Sequence, residues 1–189
     1  MTGSPPQSGR ILVAGIGNIF LGDDAFGVRV VEQLVRRTLP PNVTVIDFGI
    51  RGLDLAYALM EPWQTAILID AAPRGGVPGT LYGIEPDLSD GDDESVAAQG
   101  IAVQGHSLDP ASVLRLVKSM GGELPRIVII GCEPMPVDDD SELQMDLSPP
   151  VRAAVASAAD LVLSMISHFP ANPMQVEARH DPVHIRSRP

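Results

Sequence analysis

Residues 10–28 read Arg10-Ile11-Leu12-Val13-Ala14-Gly15-Ile16-Gly17-Asn18-Ile19-Phe20-Leu21-Gly22-Asp23-Asp24-Ala25-Phe26-Gly27-Val28. The run Arg10–Ala14 is continuously apolar after its arginine, strand-sized, and ends in a glycine-rich turn. From about Asp23 to Arg37 the pattern changes to a helix. Val28, Val31, Leu34 and Val35 recur at helical spacing, acids stand in the expected first turn, and Arg36-Arg37 stand in the last, so both ends suit the helix dipole. A strand, a turn and a helix therefore follow one another within thirty residues.

Three more apolar runs repeat the first: Val43–Asp47, Thr65–Asp70 and Arg126–Gly131. Strands that are apolar on both faces belong in a parallel sheet with helices on each side. Gly79–Ile84 predicts one short extra strand, antiparallel to the rest. Helices are expected near 53–60, at 109–119 with Asp109-Pro110 as cap and first-turn proline, and from Ser148-Pro149-Pro150 through about Ile166. The order predicts a three-layer α/β/α sandwich with a mostly parallel central sheet. One domain over 10–169 is expected, after a disordered segment 1–9 and before a loose tail 170–189.

Composition narrows the function. No apolar run approaches the roughly 20 residues that cross a bilayer, and the first residues lack the pattern of a secretory signal. A cytoplasmic protein without a membrane partner is the expectation. The single cysteine, Cys132, allows no internal disulfide and no thiolate metal cage. A formal charge of −11 with one lysine, Lys118, argues against nucleic acid. The acidic stretches 85–94 and 138–146 read as solvated loops.

In an open parallel sheet, ligands sit beyond the carboxyl ends of the strands. There the sequence gathers Asn18, Asp23 and Asp24 after the first strand, Asp47 at the end of the second, Asp70 at the end of the third and Cys132-Glu133 at the end of the fourth long run. His106 lies in the loop before the 109–119 helix. Each has a plain structural use, as a cap, a turn former or a loop residue. Together, carboxylates and an imidazole suit a borderline divalent ion such as Ni²⁺ or Zn²⁺. A dinucleotide site is disfavoured because Phe20 stands where a third glycine is needed. A phosphate loop is disfavoured by Gly22-Asp23-Asp24, whose carboxylates repel phosphate. Cys132 reads as a buried hydrophobe, and His180, Asp181 and His184 as chance spacing in the tail.

The block Gly15–Val28 resembles the opening motif of the hydrogenase maturation endopeptidases, Gly-x-Gly-Asn-x-x-x-x-Asp-Asp/Glu-Gly-x-Gly-Val, with Ala25 in place of a glycine. Asp47-Phe48-Gly49 with Gly52-Leu53 is similar to the family's Asp-Gly-Gly-x-x-Gly segment, Phe48 replacing a glycine. Ile69-Asp70-Ala71 and Gly105-His106-Ser107 match its later motifs. The likeness runs in order from about residue 10 to 168. It implies an endopeptidase whose metal-binding residues are Asp24, Asp70 and His106. The implied substrate is the precursor of a [NiFe]-hydrogenase large subunit, trimmed at its C-terminus, whose own cysteines already hold the nickel. Asn18 would orient the peptide or a carboxylate, or stabilise the turn, and Asp47 would support the site from behind. The protein would act as a monomer. A nickel-recognising accessory protein, a nucleotide-dependent enzyme and a peptidase with another substrate are the alternatives.

Overall fold

The computed structural model describes residues 9–86, 109–136 and 145–169. The chain order is β1 (Ile11–Ile16), a 3-10 turn (Gly22–Ala25), α1 (Phe26–Leu34), β2 (Val43–Gly49), α2 (Gly52–Leu59), β3 (Thr65–Ala71), β4 (Leu81–Ile84), α3 (Pro110–Ser119), β5 (Arg126–Cys132) and α4 (Pro149–His168). The sheet runs β2-β1-β3-β5-β4. All pairs are parallel except β4 with β5. The mostly parallel sheet, its antiparallel short strand and the three layers are as the apolar runs predict.

Alternation along the strands explains the layers. Ile11 and Val13 of β1, Ile67 and Ile69 of β3, and Ile130 and Cys132 of β5 point to one face, where α1 and α4 cover them. Leu12, Ala14, Ala66, Leu68, Ile127 and Ile129 point to the other, beneath α2 and α3. The twenty-residue α4 has the length and apolar composition of a membrane span. Its stripe Val151, Ala154, Ala158, Val162 and Ile166 is buried against the sheet, which marks it as a core helix.

The first helix starts later than its sequence suggests. Asp23 and Asp24 belong to the 3-10 turn, and α1 begins only at Phe26. Arg36 and Arg37 lie beyond Leu34, and Arg37 reaches across to Asp160 of α4 at 2.5 Å. The acids therefore precede the first turn of α1, which contains no acidic residue.

Close backbone approach accounts for two glycines of the opening block. A Cβ on Gly15 would lie 2.6 Å from the Gly27 carbonyl and 2.6 Å from Val31 Cγ2. One on Gly27 would fall 2.7 Å from Ile16 N, and closer still to the carbonyl oxygens of Ile69 and Ile16. Helix α1 therefore lies directly on β1 and β3, and the turn before it is fixed over the end of β3.

Candidate functional site

Asp24 is held by the turn that leaves β1. Gly17 adopts φ +126°, open to glycine alone, and a Cβ there would collide with the Asp24 carbonyl. The Asn18 N–H then donates to Asp24 Oδ2 at 2.7 Å. The Asn18 side chain does something else: its Oδ1 accepts from Phe20 N–H at 3.0 Å and closes the turn. The main chain of Asn18 thus orients a carboxylate while its amide stabilises the loop. The turn wraps an aspartate rather than an open anion cradle, so nothing here resembles a pyrophosphate seat.

Asp70, the penultimate residue of β3, is buried, and its Oδ1 accepts from Ala71 N–H at 2.8 Å. Burial drives its pKa well above the ordinary carboxylate range, and the negative charges of Asp24 and Asp109 push it further. Burial also raises Asp24, against the opposing hydrogen bond from Asn18. Two carboxylates, of which the charge of Asp24 hinders the ionisation of Asp70, share one edge of the sheet. Perturbed carboxylates of this kind concentrate at functional sites.

A small, mainly apolar cavity opens beside Asp70, lined by Ala72, Pro73, Ile84 and Ile129 together with Asp109 and Pro110. Asp109 caps α3, accepting from Ser112 N–H at 2.8 Å and Ser112 Oγ at 3.1 Å. Its sequence position shows only the capping role; its effect on Asp70 follows from the fold, which sets the start of α3 beside the end of β3. His106 lies outside the described residues. Among the described residues no three histidine, cysteine, aspartate or glutamate side chains converge to hold a metal ion.

The other acids of the edge have structural work. Asp23, adjacent to Asp24, accepts from Ser148 N–H at 2.6 Å, Ser148 Oγ at 2.8 Å and Met135 N–H at 2.8 Å. It ties the turn to the exit of β5 and the start of α4. Glu133 accepts from the N–H groups of Arg74 and Gly75 at 2.9–3.0 Å and from the Tyr82 hydroxyl at 2.7 Å. Burial alone would raise its pKa, but the Tyr82 hydroxyl and the amides of residues 74–76 outweigh it and hold the carboxylate ionised. Asp47 pairs with Gly15, on the far side of β1 from β3. Two strand spacings, about 9.6 Å, separate its strand from that of Asp70, and its carbonyl accepts from the Arg51 guanidinium. Cys132 is fully buried, its thiol pushed up to about 12 by burial and by the charges of Asp23 and Glu133. That is a packing residue, not a nucleophile.

Residues 28–165 match the family model described as hydrogenase maturation protease. The chain belongs to the hydrogenase maturation protease family. The hydrogenase 2 maturation protease of Escherichia coli is 30% identical over 173 residues, covering 91% of this chain and 99% of the relative. A hydrogenase expression/formation protein, HupD, of Bradyrhizobium diazoefficiens is 35% identical over 165 residues, 86% of this chain and 81% of the relative. The solved hydrogenase maturating endopeptidase HybD from E. coli superposes with a TM-score of 0.67 at 32% identity, covering 84% of this chain and 92% of that one. The hydrogenase maturation protease is thus an endopeptidase of mixed α/β fold.

Proposed function

We propose that this endopeptidase removes the C-terminal extension of a nickel-loaded [NiFe]-hydrogenase large-subunit precursor, and that Asp24, Asp70 and His106 grip the nickel the precursor presents. One observation supports this reading: Asp70 is buried and Asp24 half-buried, at separate strand exits on the edge where a parallel sheet binds its ligands, and near enough that the charge of Asp24 raises the pKa of Asp70. Burying an acid beside another costs free energy, and a cation received there would offset it. Asp109 lines the same cavity as Asp70, and His106 precedes it by three residues, a reach of at most roughly 11 Å of chain. That tether supports an imidazole as the third ligand. A protein with one cysteine, itself buried, has no thiolate site of its own, so the nickel belongs to the substrate.

In this reading Asp24, oriented by the Asn18 main-chain N–H, and Asp70, giving up its proton, would both face the metal the precursor presents. The docked ion fixes the scissile peptide beside the cavity below Asp70. A Lewis-acid role in polarising the carbonyl or the attacking water and a general-base role for one carboxylate are both compatible with the arrangement. In this reading cleavage takes place in the cytoplasm.

The test is processing of the nickel-loaded precursor by purified enzyme. Asp24→Asn, Asp70→Asn and His106→Ala are each expected to leave the precursor uncut while circular dichroism shows a folded protein. Wild-type processing rates in all three would remove the assignment.

A further inference from the structure

Exposed apolar residues stand at the strand exits that flank Asp24. Ile19, Phe20 and Leu21 are 41%, 59% and 46% exposed in the turn leading to Asp24, and Ile50 and Met135 are 65% and 44% exposed. None of them belongs to either core. Hydrogen bonds gather them on one edge. Gly17 N–H donates to the Gly49 carbonyl at 3.0 Å, which draws the exit of β2, with Ile50 following it, against the exit of β1. Met135 N–H donates to Asp23 Oδ2 at 2.8 Å, which brings the exit of β5 to the other flank of the same turn.

The turn itself is held rigidly. Leu21 N–H donates to the Asn18 carbonyl and Asp24 N–H to the Leu21 carbonyl, both at 3.1 Å, beside the two Asn18 contacts already described. Its exposed side chains are therefore presented in fixed positions, not by fraying. Single exposed apolar residues are ordinary, but several gathered around a functional cleft mark a place where another molecule lies. Pre-ordering of the turn lowers the cost of that association.

We infer that the collar of Ile19, Phe20, Leu21, Ile50 and Met135 is the docking surface for the folded body of the precursor protein, apart from the short segment that is cut. The inference rests on Asp24 and Asp70 being the site. A protein that brings a bond to Asp24 must lie across these side chains, because they border the same turn. Its adhesion is apolar, because the five side chains exposed there carry no charge.

The experiment uses the full chain, with Phe20→Ser and, on a separate strand exit, Ile50→Ser, so that a folding failure of one leaves the other as probe. The substrate is the nickel-loaded large-subunit precursor from the same genome. Each variant is expected to raise KM about tenfold with kcat within about twofold of wild type and an unchanged melting temperature. That split differs from Asp24→Asn, which abolishes cleavage at every precursor concentration. An unchanged KM in both variants overturns the inference. If the wild-type enzyme does not cut this precursor, the functional reading fails, and binding of the precursor by surface plasmon resonance decides the docking alone: weakening by Phe20→Ser supports it, equal affinity overturns it. A wild-type dimer in sedimentation that Phe20→Ser dissociates, with KM unaltered, assigns the collar to a second copy and overturns it too.

Discussion

Gly27→Ala sets two effects of opposite sign against each other. On helix propensity alone the change adds about 1 kcal/mol of stability, since glycine is that much poorer than alanine inside a helix. Packing opposes it. The new Cβ meets the backbone of both β1 and β3, and even the most distant of the three contacts, Ile16 N at 2.7 Å, must open to the 3.4 Å of ordinary van der Waals contact, a lift of 0.7 Å (3.4 minus 2.7). A gap of that size forfeits roughly a quarter or more of the contact attraction. Helix α1 buries Phe26, Val28, Val30, Val31 and Leu34, which contribute about 2 kcal/mol each. A quarter of their sum is roughly 2.5 kcal/mol, and contact with rigid backbone places the cost toward the top of the 1–3 kcal/mol range of overpacking. The net expectation is a loss of about 2 kcal/mol, or about 4–8 °C in melting temperature for a chain of this size. Thermal melts of the variant and wild type by circular dichroism measure it directly. A melting temperature equal to or above wild type would show that propensity wins and that the helix does not rest on the strands as described.

Asp70→Asn is expected to stabilise the protein near neutral pH. The folded pKa of Asp70 lies above its unfolded value of about 3.9, so between the two the native state binds more protons and stability falls as pH rises. Asparagine removes that fall: the variant should melt higher than wild type at pH 7 and converge with it near pH 3, and a lower midpoint at pH 7 would contradict the burial argument. Asp23→Ala severs three hydrogen bonds from Met135 and Ser148 and should cost on the order of 3 kcal/mol in denaturant titration, whereas Asp24→Asn should cost far less; equal losses would mean that the two acids are not divided between structure and site. Cys132, its thiol pushed up to about 12, should resist a disulfide reagent at pH 8 in the folded protein and react only on unfolding. Rapid modification of the native enzyme would place the residue outside the core.

The sheet was legible because its strands are apolar on both faces. Ile11 and Leu12 look alike in a sequence and part to opposite cores in the structure, and the pattern needs both. Asp24 and Asp70 could be placed at one edge from topology, since a parallel sheet sends all its strand ends the same way. What the sequence concealed was the division of labour between neighbours. Asp23 and Asp24 are equally good first-turn acids by composition, yet Asp23 spends its oxygens on residues 112 and 125 positions away. No local rule predicts a bond across that separation. The same holds for Glu133, an apparent site acid whose partners lie 51 to 59 residues upstream. Asp47 ends a strand as Asp70 does, and only the order β2-β1-β3 reveals that β1 stands between them.

Glu133 bears on how the enzyme waits between encounters. The stretch from Pro73 to Gly76 leaves β3 just after Asp70 and has no helix or strand to give it shape, yet its amides converge on a carboxylate as if on a bound anion. The protein carries its own guest. Ordering that wall of the cavity is accomplished during folding and is not repeated with each arriving substrate, so the wall beside Asp70 behaves as a fixed template.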